Sequence, residues 1–299
     1  MTALVHLIVT LGMFVVVPTG LALLDEPGTR WLRRCWPVAA AAGATALWLP
    51  RGFAATAPAT VYALATLALA LYAPRRLART RSLAPGEIAA LTALVTPAVA
   101  GTALVAERSG HELFGFDLQI LSLTVPHFHF AGFAAALVAG LVCRAARPGR
   151  AGPLAALSVP VGTLFVLAGY FVDDWAELAG AVVLTTGMWL VALVTWRDVR
   201  TATPDRTARA LLGVSSAVLV ATMLLALSWA LGEATGVPHP TLAWMAATHG
   251  LGNALGFALC ALLAWRRLDG PPAAPRTPAL HLAPAHTPAP TTKEAGTPA

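Results

Sequence analysis

Polar residues in this chain come in short clusters separated by long apolar runs, with neither the period-2 nor the period-3.6 striping of half-buried elements. A helix needs about 20 apolar residues to cross a bilayer core. Nine runs approach that length: residues 3–24, 35–50, 53–73, 88–106, 118–143, 151–172, 177–196, 209–232 and 241–265. The second and third are separated by the turn-like Pro50-Arg51-Gly52, where the pattern predicts a hairpin. Residues 1–24 lack a basic start and a small-residue cleavage site and read as the first span. The pattern therefore predicts an all-α, polytopic transmembrane helical bundle of about nine helices over residues 1–269. Residues 270–299, rich in Pro, Ala and Thr, cannot bury a core and read as a disordered tail carrying His281 and His286.

Composition agrees. Charged residues make up 11% of the chain and apolar ones 57%, whereas a soluble domain carries about 25% charged residues. The net charge of +6 does not indicate a nucleic-acid partner, because the basic residues sit singly or in small groups between apolar runs. Eighteen of the twenty lie in the loops after spans 1, 3, 5 and 7 or beyond span 9; Arg51 and Arg108 lie on the other side. The positive-inside rule then places the N-terminus outside and the C-terminus in the cytoplasm, in a multi-pass protein of the cytoplasmic (inner) membrane. Tryptophans at the span ends fit this map, with Trp31, Trp36, Trp196 and Trp265 towards the inner side and Trp48, Trp175, Trp229 and Trp244 towards the outer. Cys35, Cys143 and Cys260 lack metal-ligand spacing and all fall on or near the cytoplasmic side, which argues against a disulfide framework.

Candidate chemistry concentrates in three spans. Span 5 contains Thr-Val-Pro126-His127-Phe-His129-Phe-Ala-Gly-Phe near its middle, and ionisable side chains at that depth are functional candidates. Pro126 removes a backbone donor just before the two histidines, as Pro18, Pro97 and Pro160 do in other spans. On a regular helix His127 and His129 stand about 200° apart, so one can face a cavity while the other meets a neighbouring helix. In span 9, His249 and Asn253 share a face, and Gly252 and Gly256 in G-x-x-x-G spacing favour close helix approach, expected here against span 5. Glu177, about one turn inside span 7, is the expected intramembrane carboxylate; Asp173 and Asp174 read as a solvated turn. His6, His111, Glu112, Asp117, Glu233 and His239 are expected around an outer entrance.

These motifs resemble a known family. His127, Phe128, Phe130, Ala131, Gly132 and Phe133, with His249, Gly250, Asn253, Ala254, Gly256 and Phe257, are similar to the paired motifs of the bacterial YndJ-like membrane proteins. Glu177 in Glu-Leu-Ala-Gly-Ala is similar to a glutamate between them. The resemblance covers roughly residues 90–265, and the first three spans match in hydrophobic character alone. A shorter likeness joins His-Phe-His-Phe to the haem-ligating His-Phe-His-Tyr of haem–copper oxidase subunits, without the copper-ligating histidines.

The leading expectation is a transporter-like carrier of an unidentified small solute or ion, needing no cofactor. Its substrate or proton site would comprise His127, His129, Glu177, His249 and Asn253, with Gly252, Gly256 and Pro126 shaping the helices. Partners would be the lipid bilayer and that solute, with room for an oligomer. A membrane-embedded zinc hydrolase using His127, His129, His249, Asp173 and Asp174 is the first alternative. A haem-binding redox protein and a purely structural role are the others. Without a P-loop or a nucleotide fingerprint, the sequence leans away from an enzyme.

Overall fold

The computed structural model describes residues 2–24 and 26–269; the tail with His281 and His286 lies outside them. The described residues form nine helices: α1 Thr2–Leu24, α2 Arg30–Trp48, α3 Phe53–Thr80, α4 Pro85–Ser109, α5 Leu118–Ala145, α6 Ala151–Gly169, α7 Asp174–Ala202, α8 Arg206–Thr235 and α9 Leu242–Leu268. Each packs against its neighbour in sequence, as short connections demand of an antiparallel bundle. Among the described residues, eight are long and apolar enough to cross a membrane; α2 is not, because it begins at Arg30 and takes in Arg33 and Arg34. Side-chain contacts nevertheless show α2 running the length of its neighbours. At its start Trp31 donates to the Tyr72 hydroxyl (2.9 Å) near the end of α3, while Arg108 at the end of α4 donates to the carbonyls of Leu47 and Leu49 (3.2 and 3.3 Å).

Buried ions tie these ends. At the arginine-poor end Glu107, 2% exposed in its side chain, accepts from Arg51 (2.9 Å) and Arg108. At the arginine-rich end Glu26, 1% exposed, accepts from Arg76 (2.8 Å) and Arg79 (2.5 Å), and Arg76 also grips Glu87 (2.8 Å). One carboxylate thereby joins the α1–α2 turn to α3, and through Arg76 to α4. Farther along the same end, Asp205 caps α8 and accepts from Arg267 of α9 (2.8 Å).

α1, α5, α7 and α9 contain π-helical segments: Gly12–Val16, Phe128–Ala134, Thr195–Val199, and Ala246–Gly250 with Gly252–Leu259; those of α1 and α5 and the last of α9 touch one another pairwise. In α1 the amide of Val17 donates five residues back to Gly12. The next donor in that register would be residue 18, a proline with no N–H. The Met13 carbonyl it leaves accepts instead from the Trp36 indole at 2.8 Å. Trp36 is thus fully buried rather than an interfacial anchor. Pro97 and Pro160 leave their helices α-helical throughout.

The α6 and α7 backbones approach closely at their glycines. Gly162 and Gly169 on one helix and Gly180 and Gly187 on the other recur every seven residues, the spacing of a shallow left-handed crossing. A Cβ at Gly162 would lie 2.6 Å from Leu184 Cα, and one at Gly180 2.6 Å from the Val166 amide nitrogen.

Burial opposes ionisation of Glu26, but the guanidinium groups of Arg79 and Arg76 overcome it and hold its carboxyl below its ordinary value of 4.5. A depressed carboxyl contributes stability that is full above the ordinary value and lost as pH falls through the folded one. Glu26→Gln is expected to cost about 2 kcal/mol near neutral pH, below the 3–5 kcal/mol of a fully buried pair because Arg79 stays half exposed. Melting curves in detergent should show the gap between wild type and Glu26→Gln narrowing as the pH drops below 4.5; a gap independent of pH would contradict the ion-pair assignment.

Candidate functional site

Pro126 and the π segment behind it send the two span-5 histidines into different surroundings. His129 is fully buried, and its Nε2 lies 2.5 Å from the hydroxyl of Tyr62 on α3. Its Nδ1 has no hydrogen-bond partner. The ring lies against the α1 π turn at Gly12, where a Cβ would come 3.0 Å from His129 Cγ. Tyr62 in turn packs edge-on to Trp36, with ring centroids 5.9 Å apart. One imidazole therefore joins α1, α3 and α5 in a fully buried part of the bundle. His127 instead presents accessible ring surface to a cavity.

On α9, His249 and Asn253 close a ring of hydrogen bonds with Thr222 of α8. His249 Nδ1–H donates to the Thr222 carbonyl (2.8 Å), Asn253 Nδ2–H donates to His249 Nε2 (3.1 Å), and the Thr222 hydroxyl donates to Asn253 Oδ1 (2.7 Å). This network assigns the tautomer of His249 and occupies both its nitrogens. It also reflects a difference in packing from the expected pairing with α5. The glycine face of α9 meets α8, with Gly252 against Thr222 and Gly256 against Val218, whereas α5 is met through the π segments. His249 still shares the cavity of His127.

That cavity measures about 780 Å³ and lies among α1 and α4–α9. Its wall is mostly apolar. Pro126, His127, His249, Asn253 and Glu177 all line it; His129 does not. His127 stands nine residues into α5, about 14 Å along the axis, and His249 seven residues into α9, about 10 Å, so both lie well below the end of the bundle. Glu177 is nearer that end, 8% exposed, with the Tyr170 ring in the same wall. Asp173 and Asp174 are exposed, and Asp173 caps α7 by accepting from the Ala176 amide at 2.7 Å. The five-residue zinc set is thus not brought together. Among the described residues no three His, Cys, Asp or Glu side chains are placed to hold a metal ion. Around the end of the bundle, His6 packs edge-on to Trp48 (5.1 Å), Asp117 caps α5, and His239 pairs with Glu233 (3.1 Å).

Sequence reasoning missed Tyr62 and Thr222, and placed Trp36 at the interface rather than in the core. Tyr62 and Trp36 left a readable signal: each places a polar hydrogen inside an apolar run, where it must find a partner. Thr222 left none, since threonines recur in most spans and usually bond the carbonyl one turn back.

The two histidines should respond differently to substitution. Tyr62→Phe leaves His129 Nε2 buried without a partner and is expected to cost about 1–3 kcal/mol. His127→Ala, at the cavity wall, should cost less than about 1 kcal/mol. Thermal unfolding of the two variants checks the order, and equal losses would contradict it.

The family model described as "YndJ-like protein" matches residues 7–257. The match thus extends through α1–α3, where hydrophobic character alone had been visible. The chain is similar to "Uncharacterized membrane protein YndJ" of Bacillus subtilis (strain 168), at 27% identity over 242 residues, covering 81% of this chain and 43% of that protein. It therefore spans less than half the length of that curated relative. No solved structure matches. With its paired histidine motifs on α5 and α9 inside a helical membrane bundle, the chain belongs to the YndJ-like family.

Proposed function

We propose that this protein is a carrier whose solute binds in the cavity beside His127 and Glu177, with the N-terminus outside and the C-terminus in the cytoplasm of the bacterial inner membrane. The observation that carries this reading is the cavity itself. A bundle with a mostly apolar interior keeps about 780 Å³ open and directs an uncommitted imidazole and a carboxylate into it. Such groups are costly in a membrane unless they line a pathway or bind something. The His249–Asn253–Thr222 ring supports the reading in a different way, by fixing one wall of the cavity with its polar groups already satisfied. Irregular backbone in α1, α5 and α9 lies at the same level, as in carriers whose interrupted helices surround the binding site. His129, locked to Tyr62, belongs to the scaffold in this reading.

Proteoliposomes loaded with a mixture of monovalent cations, amino acids and single-chain amphiphiles, with release followed by mass spectrometry, test the proposal. Protein-dependent release should fall about tenfold or more in His127→Ala and Glu177→Gln, equivalent to losing about 1.4 kcal/mol of site interaction. The exposed His111→Ala should behave as wild type. Release that is the same in all four proteins would overturn the carrier reading.

A further inference from the structure

The distribution of polar atoms around the cavity narrows what it can hold. No lysine, arginine or aspartate lines it, and Glu177 is its one charged group among the described residues. His249 and Asn253 are occupied by each other and by Thr222. The groups left to meet a ligand are His127 and Glu177; Thr163 and Thr185 stand in the same wall with their hydroxyl oxygens buried and without a partner. Below His127 the lining is mostly apolar, with Ala135, Met188, Leu219 and Phe257 beside Thr185 and the already bonded Asn253.

The mouth is aromatic and strained. Between α4 and α5, Leu113-Phe114-Gly115-Phe116 forms a tight turn closed by a Phe116 N–H to Leu113 carbonyl bond of 3.1 Å. Both central residues have positive φ, 56° at Phe114 and 84° at Gly115, the type I′ geometry that favours Asn-Gly. A phenylalanine there is held against its backbone preference. The turn leaves Phe114 78% exposed at the rim, while Phe116 packs edge-on to Tyr170 and Phe171 (5.9 and 5.3 Å) from the α6–α7 turn.

We propose that the cavity takes a single-chain amphiphile with a hydrogen-bond-donating head, a hydroxyl or an amine, admitted past the Phe114 rim. This rests on the carrier reading and names its substrate class. The hydrocarbon chain occupies the apolar end below His127, and the head donates to the His127 ring nitrogen or the Glu177 carboxylate. A carboxylate head is disfavoured, because it would be buried beside the Glu177 carboxyl with no lysine or arginine to pair it.

Photolabelling of the full chain in lipid nanodiscs, with a long-chain alcohol carrying a diazirine, tests this. Saturable labelling is expected on cavity-lining peptides of α5, α7, α8 and α9, about tenfold stronger than with the carboxylic acid of the same chain, a margin of about 1.4 kcal/mol. Ala181→Trp, which narrows the cavity one turn below Glu177, should weaken it severalfold. Phe114→Asn installs the favoured turn pair, so its melting temperature should hold or rise while labelling drops severalfold. Equal labelling by the acid, or labelling that both variants leave intact, overturns the proposal. If labelling fails while His127-dependent release of a polar solute persists, the amphiphile falls and the carrier stands; if both fail, both fall.

Discussion

The bundle depends on how it satisfies polar groups where water cannot. At the crossing of α1, α3 and α5, the Tyr62 hydroxyl and His129 Nε2 share one hydrogen bond. Beside it the Met13 carbonyl, orphaned by Pro18, is recovered by Trp36. In hydrocarbon each such group costs several kcal/mol if left alone, so irregular backbone is tolerated only where protein repairs it. The π segments of α1, α5 and α9 meet around this repair, and Gly12 is what lets the His129 ring approach α1. The positions of the cavity-lining residues follow from it. With His129 held inward, Pro126 and His127 are left on the side of α5 that faces α7 and α9.

Much of this was legible in the chain and some was not. The apolar runs announced the helices, because crossing a bilayer demands a length that few other structures need. The 200° between His127 and His129 anticipated two environments even though the backbone there is π-helical, since both geometries place residues two apart on different faces. Partner choice was harder to read. Gly252 and Gly256 announce close approach without saying to which helix, and the decision rests on Thr222 and Val218 of α8. α2 was understated for the opposite reason. Its first turns carry arginines that spoil its hydropathy, yet Trp31 and the carbonyls of Leu47 and Leu49 show that it runs from end to end. The Glu26 cluster was invisible, because ion pairs between residues some fifty positions apart leave no local trace.

Two kinds of polar site coexist in the membrane-embedded part. In one, donors and acceptors are matched within the protein, as in Tyr62–His129 and His249–Asn253–Thr222, and the outcome is rigidity. In the other, around His127 and Glu177, matching is incomplete and space is left open. The first kind makes the second affordable: a cavity lined by loosely held helices would collapse onto its own polar groups.

The glycine spacing of α6 and α7 has a consequence for movement. Backbones that close leave no room for the two helices to shift separately, so the hairpin behaves as one stiff lever hinged at its loops. Thr163, Glu177 and Thr185 all ride on that lever, while His127 and His249 belong to other helices. A widening of the cavity between α5 and α7 that keeps this packing carries the carboxylate and both threonines together relative to His127.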